Sequence, residues 1–512
     1  MEGTTTGTIE RRSFLKTAAV GAAAIGAVGT AFTGVARATS PQGHLSGDQD
    51  LHLLRRATFG LTPASVARIR QIGRERWLDE QLRPSSIGDR ACEDLVDRLP
   101  QLRISMRDKY ETQDFDWNVM FALGQATIIR AAWSQRQLFE VMVDFWSNHL
   151  NVTNPGDHGW YNRHDYDRTV IRKHALGKFE DMLIASAKHP AMLHYLNNLS
   201  STKDNPNENY GRELLELHTV GVDGGYTEEH MRQSALIMTG WTIDWDTGLF
   251  RYDGSDHYRG PVEVLGFSRA NDSGPGGQDL ALDYLRYLAR HRQTAEHLAT
   301  KLARRFVGDE PPSGLVDALA DTYQANGTAI APVLRKLFRS TAFRSSIGEK
   351  VRRPYEDVIA TLRALRYKAD AHGTGGIQGL YWVCESLGQA PLAWSPPDGY
   401  PDTAADWRSA GGTLDRWNTH MSLAAHWWPS EIRRPKLESY LPKRLPATYG
   451  DLVQDVAKEL LFVKLPGEQR DAICGFFDRG AGSPLHDDDA IVTWRLSHLV
   501  SLVLDTPAHL LR

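Results

Sequence analysis

Acidic side chains that could donate and accept protons cluster between residues 205 and 241. At about 100° per residue, an α-helix places Glu208, Arg212 and Glu216 along one arc. Asn209 and Glu213 fall beside them on the same side. Two carboxylates in different environments can divide the roles of acid and base in a hydrolysis. The same spacing also produces i, i+4 ion pairs, each worth about 0.2–0.5 kcal/mol when exposed. A site and a structural ladder of ion pairs are therefore both open.

In the site interpretation, Glu213 and Glu216 are the candidate acid and base, or carboxylate ligands of a metal ion. Arg212 is expected to orient them and to keep Glu216 ionised, and Asn209 is a candidate for contact with substrate. Burial against neighbouring apolar side chains is expected to raise the pKa of Glu213.

A histidine ends the apolar side of a long helix that the pattern predicts from Ala126 to His149. This imidazole is a candidate base or metal ligand. The alternative is a core histidine whose ring bonds to a backbone carbonyl, a common arrangement in folded proteins.

The second unusual region is a proline-stiffened loop rich in tryptophan and tyrosine, between residues 382 and 418. Four prolines in this region predict a fixed, irregular surface. Its aromatic rings could stack on sugars or could wedge the loop onto the helical core. The candidate substrate-binding residues here are Trp394, Asp398, Tyr400, Trp407 and Trp417.

Local signals predict that two helices joined by a glycine turn carry the acidic cluster. Asn205 is predicted to cap the first helix, with Pro206 at its first position. Gly221 is expected to end that helix, and Thr227 to cap the second.

Helical periodicity dominates the rest of the chain. The predicted fold is all-α, a large multi-helix single unit with long irregular loops and at most a short β-hairpin. The loop-rich parts are predicted at residues 151–167, 241–278 and 382–418.

The first 38 residues have the features of an export signal. Arg11-Arg12 opens a twin-arginine motif, and an apolar run rich in alanine and glycine leads to Ala36-Arg37-Ala38, an A-x-A cleavage site. The predicted organisation is a signal peptide at 1–38, a linker at 39–50 and a helical domain at 51–512. We expect an extracellular or cell-envelope protein without a transmembrane span after signal removal.

Composition excludes several classes of protein. A net charge of −4 over 512 residues gives no indication of nucleic-acid binding. Three cysteines without a C-x-x-C pair exclude a zinc ribbon or a redox dithiol, and favour scattered buried thiols. Signatures of serine hydrolases, P-loops and dinucleotide sites are also missing. A cofactor is not defined by the sequence, and a divalent metal is one candidate.

Several motifs in order make the chain similar to the bacterial family called domain of unknown function 1800. They are Leu53-Leu54-Arg55-Arg56-Ala57-Thr58-Phe59-Gly60, Phe145-Trp146-Ser147-Asn148-His149, Asn207-Glu208-Asn209-Tyr210-Gly211-Arg212-Glu213-Leu214-Leu215-Glu216-Leu217, Thr239-Gly240-Trp241 and Pro397-Asp398-Gly399-Tyr400-Pro401. The resemblance implies an exported, mostly helical protein. It also implies a partner, because genes of this family commonly neighbour a second exported family, domain of unknown function 1501. It does not supply a reaction.

Two functions are consistent with these features. The first is an extracytoplasmic enzyme, hydrolase-like and metal-dependent or not, that acts on a polymer such as a polysaccharide. The second is a non-catalytic carbohydrate-binding or scaffold protein that works with the co-encoded exported partner.

Overall fold

Capped, amphipathic segments of the sequence fold into helices that pack their apolar faces against one another. The computed structural model describes residues 45–113 and 117–512. The predicted export signal at 1–38 lies outside these residues. The described residues belong to one compact unit, Pro41–Arg512.

Within the described residues the chain forms 24 α-helices. The first twelve are α1 Gln49–Ala57, α2 Pro63–Ile72, α3 Arg74–Gln81, α4 Arg90–Val96, α5 Met106–Thr112, α6 Asn118–Trp133, α7 Gln137–His149, α8 Gly159–Tyr166, α9 Phe179–Lys188, α10 Pro190–Tyr195, α11 Glu208–Glu213 and α12 Glu228–Ile237. The second twelve are α13 Gly277–Arg290, α14 Arg292–Phe306, α15 Ser313–Ala325, α16 Ile330–Arg339, α17 Thr341–Ser345, α18 Pro354–Ala364, α19 Gly375–Ser386, α20 Ala410–Ala425, α21 Tyr449–Leu461, α22 Gly467–Phe476, α23 Leu496–Leu504 and α24 Pro507–Leu510. Two further segments, Asp167–Arg172 and Leu214–His218, are π-helical.

Two small antiparallel hairpins interrupt the helices between α12 and α13. Strands β1 (Trp241–Ile243) and β2 (Phe250–Tyr252) pair with Trp241 opposite Tyr252. Strands β3 (Val262–Val264) and β4 (Phe267–Arg269) pair with Val262 opposite Arg269. The all-α prediction is confirmed, with two hairpins where at most one was expected.

One extensive apolar core runs through the described helices. Helix α7 contributes Leu138, Val141, Met142 and Trp146, all fully buried on its inner face. Burial of such side chains stabilises the fold by roughly 1.5–3 kcal/mol each. Among the described residues, none of the helices is long and apolar enough to cross a membrane.

The long helix predicted from Ala126 to His149 is wrong, because the chain breaks between α6 and α7 at Ser134. The buried carboxylate of Asp89 causes the break: it accepts hydrogen bonds from Ser134 Oγ at 2.6 Å and from the Gln135 amide at 2.8 Å. A side chain 45 residues away thus satisfies the donors at the break, a contact that local periodicity does not contain.

The predicted loops are shorter than expected. Residues 159–166 of the first loop form helix α8, which continues into the π-helical segment Asp167–Arg172. The second region holds the two hairpins. The third shrinks to residues 387–409, since α19 extends to Ser386 and α20 begins at Ala410.

The caps around the acidic stretch agree with prediction in part. Thr227 caps α12 as predicted, its Oγ1 accepting from the His230 amide at 3.2 Å. The first cap is Asn207, not Asn205, and its Oδ1 accepts from the Tyr210 amide at 3.1 Å. All three cysteines are free and buried, as predicted.

Candidate functional site

Helix α11 carries the acidic cluster and is fixed at its start and along its inner side. Asn207, besides capping the helix, donates from Nδ2 to the Leu196 carbonyl at 2.7 Å, which ties α11 to the end of α10. Gly211 rests against the backbone of α12: a Cβ there would lie 2.5 Å from the Met231 carbonyl oxygen and 2.7 Å from the Ala235 nitrogen. Only glycine permits this close packing.

Immediately after Glu213 the helix widens into the π-helical turn Leu214–His218. This turn changes the angle between successive side chains, so the 100° spacing used in the prediction fails beyond Glu213. Arg212 instead pairs outward with Glu228 at 3.3 Å, and both side chains are exposed. The predicted ladder of Glu208, Arg212 and Glu216 is therefore not the arrangement observed. Single π-turns inside helices are frequent at functional sites.

The proline-rich loop is held against this region by polar side chains from two other parts of the chain. Asn148 donates to the Tyr400 carbonyl at 2.7 Å and accepts from the Tyr400 amide at 2.6 Å. Asn151 donates to the carbonyls of Trp394 and Pro396 at 2.9 and 2.8 Å. Tyr195 Oη donates to the Ser395 carbonyl at 2.5 Å. The loop is thus positioned by hydrogen bonds.

Among the carboxylates predicted from the sequence to form a site, Glu213 has surroundings that disfavour its charge. It is half-buried, and burial raises its pKa, as predicted. The charges of Glu216 and of Asp398 raise it further, while Arg212 acts in the opposite direction. The proline-rich loop thus contributes a negative charge, that of Asp398, that acts on Glu213. Burial and neighbouring negative charge are the two usual ways to keep a carboxyl protonated at higher pH.

Asp398 connects several groups at this junction. Its Oδ1 accepts a hydrogen bond from Trp394 Nε1 at 2.8 Å, which orients the carboxylate. Burial raises the pKa of the Tyr195 phenol to about 12, and the charges of Asp398 and Glu213 add to the effect. The charges of Asp398 and Glu213 therefore both act on the Tyr195 phenol, whose hydroxyl donates to the proline-rich loop at Ser395.

Lys301 of α14 is a cation that interacts electrostatically with Asp398. Burial lowers its pKa to about 8, and the negative charges of Asp402 and Asp398 only partly compensate. Lysines with such lowered pKa values occur at catalytic and binding sites because the amine is available near neutral pH. The lysine was not singled out from the sequence.

His149 is a core residue, 1% exposed. Its Nε2 lies 3.2 Å from the His218 carbonyl oxygen, the carbonyl-bonded arrangement considered as the alternative to a base or ligand. Burial, Lys301 and the nearby rings of His297 and His218 hold its pKa well below the usual range. The ammonium of Lys301 also opposes a metal ion at this position.

The remaining aromatic candidates are tied down within the loop. Tyr400 Oη donates to the Ala390 carbonyl at 2.9 Å, and Trp407 Nε1 donates to the Pro401 carbonyl at 2.9 Å. The Tyr400 ring lies 4.9 Å from that of Trp394 and 6.0 Å from that of Trp407. These three rings pack against one another and hold the loop together. Trp417 lies on α20 and is 44% exposed.

Of the predicted site residues, Glu213 and Asp398 interact electrostatically, and Trp394 orients Asp398 by a hydrogen bond. Arg212 and Asn209 lie on the outer side of α11, where Asn209 is exposed. Sequence reasoning missed Tyr195 and Lys301. The only local signal for Lys301 is that it follows His297 by four residues, so the two share one helix face.

Comparison with known proteins gives one match. The model of the family described as protein of unknown function, DUF1800, matches residues 52–511. No curated protein and no solved structure matches the chain. Since the match covers nearly all of the described residues, the chain belongs to the domain of unknown function 1800 family.

Proposed function

We propose that this protein is an exported hydrolase that cleaves glycosidic bonds of a polysaccharide, with Glu213 as the general acid. The observation that supports the proposal most is the raised pKa of the half-buried Glu213, to which the charge of Asp398 from another part of the chain contributes. Pairs of carboxyl groups whose environments separate their pKa values are the usual machinery of glycoside hydrolysis.

The chemistry assigns one role to each group. The protonated carboxyl of Glu213 donates its proton to the glycosidic oxygen as the bond from that oxygen to the anomeric carbon breaks. Asp398, oriented by Trp394 and exposed to solvent, takes a proton from the water that attacks the anomeric carbon. The products are a free hydroxyl and a new reducing end. Exchange with solvent returns the proton to Glu213.

The direction of the pKa shift fixes one limb of the pH profile. Because the pKa of Glu213 is raised, the carboxyl stays protonated to a higher pH than an ordinary glutamic acid. Hydrolysis should therefore fall as pH rises through that raised value, since the acid form is lost.

The direct test measures reducing ends released from a panel of insoluble and soluble polysaccharides by the mature protein. Glu213→Gln and Asp398→Asn should each lower the rate by at least about 100-fold, because each removes a proton-transfer group. Glu208→Gln is the matched control, since it makes the same change at an exposed position of the same helix.

A parent protein that releases no reducing ends from any member of the panel would contradict glycoside hydrolysis. Equal activity of Glu213→Gln and the Glu208→Gln control would contradict the role of Glu213 even if hydrolysis were present.

Export belongs to the same proposal and rests on the twin arginines and the A-x-A site. Replacing Arg11 and Arg12 together by lysine should retain the precursor in the cytoplasm, as shown by fractionation and immunoblotting. Unchanged secretion of that variant would refute this route.

The alternative is a carbohydrate-binding scaffold for the co-encoded exported partner. It is favoured by exposed tryptophans away from Glu213, among them Trp417, Trp427 and Trp428, which are 44%, 66% and 41% exposed. If this alternative holds, alanine at these positions should abolish retention on polysaccharide while the melting temperature is unchanged. Alanine at the wedged Trp394, Tyr400 and Trp407 should lower the melting temperature instead.

A further inference from the structure

Three buried side chains far from Glu213 place metal-binding atoms close together. Asp357 of α18, His420 of α20 and His509 of α24 each offer one ligand atom, and these atoms lie within 4.8 Å of one another. Asp357 Oδ2 is 3.1 Å from His420 Nε2, and Asp357 Oδ1 is 3.4 Å from His509 Nε2. Tetrahedral zinc, with ligand bonds near 2.0–2.1 Å, separates its ligand atoms by roughly 3.3–3.4 Å. The spacing therefore matches with small side-chain movements.

A fourth oxygen stands beside the three ligands. Thr361 lies one helical turn after Asp357 on α18, so the two side chains share a face. Its Oγ1 is 2.9 Å from His509 Nε2. Three helices thus bring two imidazoles and a carboxylate together, and the hydroxyl of Thr361 adds an oxygen beside one of the imidazoles.

A further carboxylate occupies the outer position that metal-bound histidines usually use. His420 Nδ1 is 2.8 Å from Asp505 Oδ1, the residue that follows α23. In metal sites, the ring nitrogen that does not bind the metal commonly donates to a carboxylate, which fixes the tautomer and orients the ring. With Nδ1–H donating to Asp505, Nε2 of His420 is directed at Asp357.

One ligand atom lacks a partner in a dry environment. Asp357 is 2% exposed, and its Oδ1 accepts no hydrogen bond from a described residue, although His509 Nε2 is 3.4 Å away. A buried carboxylate oxygen without a donor costs free energy. A cation held between Oδ1 and the ring nitrogen removes that cost.

The charges around the cluster decide what kind of cation fits. Asp357 and Asp505 supply two negative charges, and Arg416 lies 3.9 Å from Asp357 Oδ2. Arg352 also interacts electrostatically with Asp357. When a divalent ion replaces the proton between His420 and Asp357, the cluster gains only one positive charge. Imidazole nitrogen with a single carboxylate favours zinc over magnesium or calcium, which prefer oxygen ligands.

We propose that Asp357, His420 and His509 form a buried zinc site, with Thr361 as the fourth donor and Asp505 as the carboxylate that orients His420. The site joins α18, α20 and α24, and its role is to hold these helices together. It is independent of the hydrolase proposal.

The first experiment measures zinc in the mature protein by mass spectrometry after dialysis against a weak chelator. We expect one zinc per chain, and a melting temperature that falls after removal by a strong chelator and recovers with zinc chloride alone. Cobalt substituted for zinc should give the strong visible absorption of a tetrahedral site. A parent protein without bound zinc, whose melting temperature zinc chloride does not raise, would overturn the proposal and leave a proton-linked network of the same residues.

Two variants locate the ion. His509→Gln should lose the stoichiometric zinc, and Asp505→Asn should weaken zinc affinity by about 10–100-fold while leaving the ligands in place. His372→Gln, at an exposed histidine outside the cluster, is the control for binding at the surface. If His509→Gln fails to fold, the cobalt spectrum of the parent and the affinity of Asp505→Asn decide the question. Unchanged zinc affinity in Asp505→Asn, with the absorption of six-coordinate cobalt in the parent, would overturn the assignment.

Discussion

Two glutamates of this protein, Glu356 and Glu213, are buried to different degrees and have opposite surroundings. Glu356 on α18 is 1% exposed and is surrounded by guanidinium groups. It contacts Arg305, and it lies 2.7 Å from Arg512 Nη1 and 3.1 Å from Arg353 Nη2. Although burial acts against the charge, these cations hold the pKa of Glu356 well below its ordinary value. Glu213 lies among carboxylates, and its pKa is raised.

The different surroundings indicate different roles for the two glutamates. Around Glu356 the guanidinium groups offset the cost of burying the carboxylate. The network therefore contributes to folding, and the paired carboxylate has no proton to transfer. Around Glu213 the charge of Arg212 compensates only in part, so burial and neighbouring carboxylates favour the protonated form of this carboxyl group. A raised carboxyl pKa of this kind is typical of functional sites.

The largest effect is expected from breaking the compensated network. Glu356→Gln leaves Arg305, Arg353 and Arg512 without their shared buried anion, so the free energy of unfolding should fall by about 3–5 kcal/mol. Chemical denaturation followed by circular dichroism measures it. Glu310→Gln, which makes the same change at an exposed position, is the control. A variant as stable as the parent would show that the three arginines do not depend on Glu356.

Lys301→Met should act in the other direction. The pKa of Lys301 is lowered to about 8 in the folded state. The cost of burying its ammonium is therefore complete below that pH and disappears as pH rises through the unfolded value near 10.4. The variant should be more stable than the parent by roughly 1–3 kcal/mol at pH 7, and the difference should shrink between pH 8 and 10.5. Lys336→Met, at an exposed position, should show no such pH dependence. A constant difference would contradict the burial argument.

Asn148→Ala removes both hydrogen bonds that hold the proline-rich loop at Tyr400. We expect a loss of about 1–3 kcal/mol, because two backbone groups lose their partner. If the loop positions Asp398, hydrolysis should fall further than stability alone explains. Asn326→Ala, which removes one exposed side-chain hydrogen bond, is the control. Normal activity in Asn148→Ala would show that the loop is held in place without this contact.

The smallest change in stability is expected for Glu213→Gln, which removes the charge and keeps the shape. Because the folded pKa of Glu213 is raised, its contribution to stability is complete below the unfolded pKa and is lost as pH rises. At pH 7 the variant should match the parent or exceed it by up to about 1 kcal/mol. Thermal denaturation at pH 4 and pH 7 measures the trend. A clear loss of stability would place Glu213 in a structural ion pair.

Features that depend on residues close together in the chain could be predicted from the sequence. Thr227 was correctly identified as a cap because a threonine hydroxyl accepts from the third amide of a helix. The raised pKa of Glu213 followed from the apolar residues around it on its own helix. The all-α fold and the three buried thiols were also predictable from composition and periodicity.

Long-range contacts explain what the sequence did not show. The break at Ser134 involves a hydrogen bond to Asp89, 45 residues away, and the π-turn after Glu213 departs from the regular helical period on which the prediction relied. Lys301 and the cluster of Asp357, His420 and His509 come from segments separated by dozens of residues, so only the folded chain brings the cluster together. Asn205 and Asn207 both precede the helix with side chains suitable for a cap. Pro206 and Glu208 favoured Asn205 in the sequence, whereas the structure uses Asn207.

The missing side chain at Gly211 has a consequence for the position of Glu213. The Cβ of any other residue would meet backbone atoms of α12, which cannot rotate away as a side chain can. A methyl group at residue 211 should therefore push α11 and α12 apart. Glu213, two residues later on α11, would move with its helix, so a residue that lies outside the candidate site limits where the Glu213 carboxyl group can stand.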